Sequence, residues 1–132
     1  MNMRRVGPAD EALLRRAAEE VASDLRFAGL PVTQLGDSSA GPDLEYSGAG
    51  VFYDPFKDGA SLGVFVTWNC SQELHTAAIS GGDAAGRSIA IGGTAMDAMR
   101  EAIKQILTVA GWGVDSESVG VHESSVKVFK PS

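Results

Sequence analysis

A single cysteine, Cys70, stands in 132 residues, so no disulfide can form within the chain. Only two histidines, His75 and His122, accompany it. Three such ligands without a C-x-x-C or H-E-x-x-H spacing do not make a closed structural zinc site, and no metal or other cofactor is expected. No window approaches the roughly 18 consecutive apolar residues that a membrane-spanning helix needs. The basic start, Met1 to Pro8, has no apolar run behind it, so no signal peptide is expected and the cytoplasm is the expected compartment. Positive charge is also scarce: 11 Lys and Arg face 17 Asp and Glu, for a net charge of −6. A surface of that sign repels phosphate backbones, and direct nucleic-acid binding is not expected. Neither G-x-G-x-x-G nor G-x-x-x-x-G-K-[ST] occurs. What remains is ordinary for a folded protein: 44% hydrophobic and 21% charged residues, at a length typical of one domain with a core of its own. No repeat or composition shift divides it, and residues 1–132 read as a single domain.

The negative charge is concentrated. Residues 32–60 carry Asp37, Asp43, Glu45, Asp54 and Asp58 against Lys57 alone, a balance of −4 within the total of −6. Much of this lies in 36–50, a stretch rich in Gly, Ser and Asp that reads as a flexible loop, with Leu44 and Tyr46 able to pin it to the body.

Ser61 to Cys70 is the clearest strand. Leu62, Val64, Val66, Trp68 and Cys70 alternate onto one side, with Gly63, Phe65, Thr67 and Asn69 on the other, as expected of the strand at the centre of the fold. Val51 to Tyr53 is a shorter strand, and Asp54-Pro55-Phe56-Lys57-Asp58-Gly59 has the turn chemistry to close a hairpin between the two. Two long helices are expected. The first spans 9–28, with Pro8 at its start, a stripe of Leu14, Ala18, Val21, Leu25 and Ala28, pairs Arg15–Glu19 and Arg16–Glu20, and Gly29-Leu30-Pro31 as its stop. The second spans 94–110, with Thr94 and Asp97 as a capping box, Met96, Met99, Ile103, Ile106 and Ala110 as its buried stripe, and Gly111-Trp112 as its close. Residues 71–79 fit either a short helix capped by Ser71 or a third strand, the helix being preferred. Residues 80–87 read as loop and 88–91 as a short extended segment. Val119 and Val121, then Val126 and Val128, read as further extended segments with a bulge or tight hairpin between them. Together these describe an α+β fold: a mostly antiparallel sheet with both long helices packed on one face.

Chemistry is sparse. Gly92-Gly93-Thr94 before a helix could hold an anion on exposed amides, but no lysine stands near it, and a tight turn is the simpler reading. Cys70 with His75 or His122 could form a nucleophilic pair, yet Cys70 continues the apolar face of the core strand, where cysteine packs as a small hydrophobe. Asp54 and Asp58 lack the rest of a calcium-loop ligand series. Trp68 and Trp112 read as packing residues. An enzyme is therefore not the preferred reading.

Val64-Phe-Val-Thr-Trp-Asn-Cys-Ser-Gln-Glu-Leu, and Ala95-Met-Asp-Ala-Met-Arg-Glu-Ala-Ile-Lys-Gln-Ile-Leu-Thr-Val-Ala-Gly-Trp, resemble small uncharacterised proteins of actinomycetes found near helix-turn-helix regulators. In those, a strand ending in tryptophan precedes an alanine-rich helix that ends in Ala-Gly-aromatic. The resemblance covers residues 61–114. It implies a regulatory accessory protein and carries over no catalytic residues.

The function expected from the sequence is a non-enzymatic binding module that presents an acidic surface to a basic protein, as a regulator's accessory or an immunity-type inhibitor does. Asp37, Asp43, Glu45, Asp54 and Asp58 would steer the partner, and Tyr46 and Phe56 would anchor it, because aromatic groups rather than rim charges carry most affinity. The alternative is a structural subunit that self-associates into a homo-oligomer.

Overall fold

The computed structural model describes residues 5–37, 46–56, 63–79, 81, 83–115 and 125–130. Among these residues three helices, α1 (Pro8–Phe27), α2 (Gln72–Ile79) and α3 (Asp83–Val109), accompany five strands, β1 (Val32–Asp37), β2 (Gly48–Asp54), β3 (Gly63–Asn69), β4 (Gly113–Asp115) and β5 (Val126–Phe129). The strands form one sheet in the order β1-β2-β3-β5-β4, with β3 in the middle. Every neighbouring pair is antiparallel except β1 with β2. The α+β class and mostly antiparallel sheet are those the periodicities predict.

Alternation sorts the sheet into two faces. Val51 pairs with Val66, Tyr53 with Val64, and Val64 and Val66 in turn with Val128 and Val126. These residues share one face and bury against Val21, Ala22 and Leu25 of α1 and Ile103 and Leu107 of α3. Both long helices therefore cover the same side. The opposite face is also apolar at its centre. Phe52 and Phe65 are cross-strand partners whose rings stack 5.4 Å apart, and Phe65 is only 2% exposed.

Both helix ends follow from sequence. Gly29 and Gly111 take φ of 101° and 102°, a region that costs a residue with a Cβ. The following amides then reach back, Leu30 N–H to the Leu25 carbonyl at 3.1 Å and Trp112 N–H to the Leu107 carbonyl at 2.9 Å. These bonds satisfy carbonyls that a helix end leaves orphaned. Ser71 caps α2, its hydroxyl oxygen accepting the Leu74 N–H at 3.2 Å. The predicted Arg15–Glu19 and Arg16–Glu20 pairs give way to others. Arg15 reaches back to Glu11 at 3.4 Å, and Glu20 meets Lys130 at 3.1 Å.

The largest departure is α3. It starts at Asp83, eleven residues before the predicted Thr94 cap, and runs for 27 residues through Gly86, Gly92 and Gly93. No extended segment lies at 88–91, Thr94 is an exposed mid-helix residue rather than a cap, and no helix N-terminus exists at Gly92-Gly93-Thr94 to hold an anion. Interior glycines each disfavour a helix by about 1 kcal/mol against alanine, but tertiary packing overrides propensity. Here α2 lies along this half of α3, and a Cβ at the buried Gly92 would stand 3.1 Å from the Leu74 side chain. The glycine lets the two helices approach closely without displacing the Leu74 side chain.

Two strands were not legible in the sequence, β1 and the three-residue β4. β1 occupies 32–37, so the expected loop at 36–50 narrows, with β2 beginning at Gly48; residues 38–45 lie outside the described part. The segment holding Val119 and Val121 also lies outside it, whereas Val126 and Val128 form β5 as expected. No helix among the described residues is long and apolar enough to cross a membrane.

Candidate functional site

Among the described residues, a densely connected polar cluster lies where the C-terminal ends of β1 and β2 meet the start of α1. Arg5 and Phe56 form an isolated antiparallel bridge, and Val6 donates its N–H to the Pro55 carbonyl at 2.8 Å. These contacts hold the Arg5 backbone beside the end of β2. Pro8 then begins α1 and brings Glu11 back over the same corner. The parallel register of β1 on β2, with a bulge at Leu35, sets Asp37 beside Tyr53.

Arg5 joins these elements. Its Nε donates to Glu11 Oε1 at 2.6 Å, and its Nη2 donates both to Glu11 Oε2 at 3.0 Å and to the Asp37 carboxylate. The guanidinium also sits 5.7 Å from the centre of the Phe56 ring, within cation–π range. Glu11 accepts further from Tyr53 Oη and from Arg15 Nη2, each at 3.4 Å. The electrostatic consequences follow. Hydrogen bonds from Arg5 hold the Glu11 carboxyl below the ordinary glutamate range. Hydrogen bonds to Glu11 and then Asp37 raise the already high Arg5 value further.

The sequence-predicted site residues divide among several places. Asp37 and Phe56 belong to this corner. Asp54 does too, but at 3% exposure it is buried, and its Oδ1 accepts the Phe56 N–H at 3.0 Å. That bond is an Asx turn, which orients Phe56 and leaves Asp54 little surface to offer a partner. Tyr46 lies away from the corner, at the start of β2. Its carbonyl accepts from Asn69 Nδ2 at 2.6 Å, and its hydroxyl lies over Gly50, where a Cβ would come within 2.6 Å. Asp43, Glu45 and Asp58 lie outside the described residues. Sequence reasoning missed both Arg5 and Glu11. No local pattern joins either residue to Asp37, since fold topology alone brings them together.

Cys70, Trp68 and Trp112 resolve into packing. Cys70 is buried, with its Sγ 3.9 Å from the Gly92 carbonyl oxygen. The side chains of His75 and His122 lie outside the described part. Trp68 packs against the core, and the buried Trp112 donates Nε1–H to Asp24 Oδ2 at 2.9 Å. An open groove of about 450 Å³ runs between α1 and the β4–β5 edge, floored by Val64, Val128 and Trp112 and flanked by Leu13 and Phe129. Among the described residues no cluster of three or more His, Cys, Asp or Glu is placed to hold a metal ion. Comparison of the chain with family models, with curated proteins and with solved structures gives no match.

Proposed function

We propose that this protein is a non-enzymatic binding module whose acidic surface, centred on the Arg5–Glu11–Asp37 corner, takes a basic protein partner. The observation that carries this reading is the convergence of two carboxylates on one guanidinium above a half-buried phenylalanine. Within this corner Glu11, Asp37 and Asp54 stand against Arg5 and Arg15, which leaves it negative by one charge. The Glu11 and Asp37 side chains are 14% and 17% exposed, and the bridge between Arg5 and Phe56 fixes what they present to an incoming lysine or arginine, with little ordering to do. Phe56 supplies the apolar contact that gives such a surface affinity as well as steering. Asp43, Glu45 and Asp58 belong to the same acidic stretch of the sequence, residues 32–60.

The test is capture of basic proteins from a native lysate at low ionic strength, with elution by salt. The wild-type chain should retain proteins of high isoelectric point, and a variant carrying Asp37→Asn, Asp43→Lys, Glu45→Lys and Asp58→Lys should lose them. Asp54 is left intact because its change would disturb the turn. Equal capture by both proteins would end the proposal.

A second reading, a subunit that self-associates, is favoured by the apolar exposure of the α2–α3 hairpin. Ile79, Ile89 and Ile91 are 84%, 62% and 43% exposed there.

A further inference from the structure

The face of α3 turned away from the sheet and from α2 has a composition that solvation alone does not explain. Its inner face is settled by Gly92 against Leu74 and by Ile103 and Leu107 in the core. On the opposite side Arg87, Ala90, Thr94, Ala98 and Glu101 follow one another at spacings of three and four, which places them on one stripe, and all five are exposed. An exposed helix face in an acidic protein ordinarily carries long charged side chains. Between Arg87 and Asp97 this helix has none.

The stripe is symmetric about Thr94. Alanines stand four residues to either side, and residues of opposite charge, Arg87 and Glu101, stand seven to either side. A two-fold axis at Thr94 that sets a second copy of α3 antiparallel to the first brings Arg87 opposite Glu101 of the other copy, twice. Asp97 of that copy lies one turn further in, so each Arg87 meets two acids. On one flank Ile91 falls opposite Ala98. Small side chains at the middle let two helix axes approach to the lower end of the usual range, about 8 Å. The charges at the ends set register and direction more than affinity.

We propose that this chain forms a two-fold dimer through the outer face of α3, centred on Thr94 and registered by reciprocal Arg87–Glu101 pairs. The inference rests on the self-association reading above and names its surface. The occupant is a second copy, because the stripe is complementary to itself under a closed symmetry. The sheet edges are poor competitors: β1 carries a bulge at Leu35 and β4 is three residues long.

Sedimentation equilibrium of the full chain up to about 100 µM, in the range where dissociation constants of modest helical interfaces fall, tests this. The wild type should be a dimer. Arg87→Glu and Glu101→Arg should each weaken dimerisation by about tenfold or more, a change of about 1.4 kcal/mol per decade. The double variant Arg87→Glu/Glu101→Arg should restore it, which a merely unfolded or destabilised protein would not do. Ile91→Glu should give a folded monomer by circular dichroism. A wild type that assembles but ignores both single reversals would overturn the α3 interface and leave self-association standing. A wild type that stays monomeric throughout would overturn both.

Discussion

Glu11 accepts hydrogen bonds from Arg5, Arg15 and Tyr53, and that arrangement fixes how its corner responds to acid. Its folded-state value lies below that of the unfolded chain. Such a group stabilises the fold fully above the ordinary glutamate range, near about 4.3, and loses its contribution as the pH falls through the lowered folded value. The variant Glu11→Gln should therefore be less stable than wild type at neutral pH, with the difference shrinking in acid. Urea unfolding at the two pH values measures this, and a gap that widened on acidification would reverse the assigned sign. Asp54 makes a different demand. Its carboxylate satisfies the Phe56 N–H from a buried position, so Asp54→Ala leaves that donor without its partner. A loss of about 1–3 kcal/mol is expected, with Asn recovering part of it because its amide oxygen can still accept. An unchanged unfolding midpoint for Asp54→Ala would remove the turn from the account of how Phe56 is held.

At the scale of elements, what could be read from sequence tracks how much each segment depends on its own residues. The ends of α1 and α3 were legible because Gly29 and Gly111 act locally, and the Ser71 cap was legible for the same reason. β3 was legible because alternation survives on a strand paired on both sides. β1 was not, since it is a half-exposed edge whose bulge at Leu35 breaks the parity that would have revealed it. The start of α3 was misread because Gly92 and Gly93 look like punctuation to any local rule. Gly92 packs against Leu74 of α2, a contact that local pattern does not encode, whereas Gly93 is exposed. Of the candidate site, Asp37, Asp54 and Phe56 were legible as members of an acidic, turn-rich span. Arg5 and Glu11 were not, because their meeting with Asp37 depends on the parallel placement of β1. Helix continuity is open to a direct check. Gly86 and Gly93 sit inside α3 with open space where a Cβ would project. Gly86→Ala and Gly93→Ala should each raise stability by about 0.5–1 kcal/mol, through helix propensity and a less flexible unfolded chain. If residues 92–94 formed a turn instead, Gly93→Ala would destabilise.

For the whole molecule, the sheet is the shared wall of two apolar layers. The helix side is the one the sequence stripes lead one to expect, with Leu107 and Ile103 completely enclosed. On the far side Phe65 is as buried as the core residues and stacks on Phe52. A sheet with one wetted face would let Phe65 be truncated cheaply. A sheet buried on both faces would not, because removing the ring leaves a cavity that the stacked Phe52 and the rigid β2–β3 ladder cannot close. Phe65→Ala should then lower the unfolding free energy by about 3–5 kcal/mol, comparable to the roughly 2–5 kcal/mol expected for Leu107→Ala on the helix side. Both variants should unfold in one transition, since the two layers share the strands between them. A Phe65→Ala loss well under 1 kcal/mol, beside a large one for Leu107→Ala, would mean that the second layer adds little. The face opposite the long helices would then be a surface available for binding, and the acidic corner would no longer be the preferred place to look for a partner.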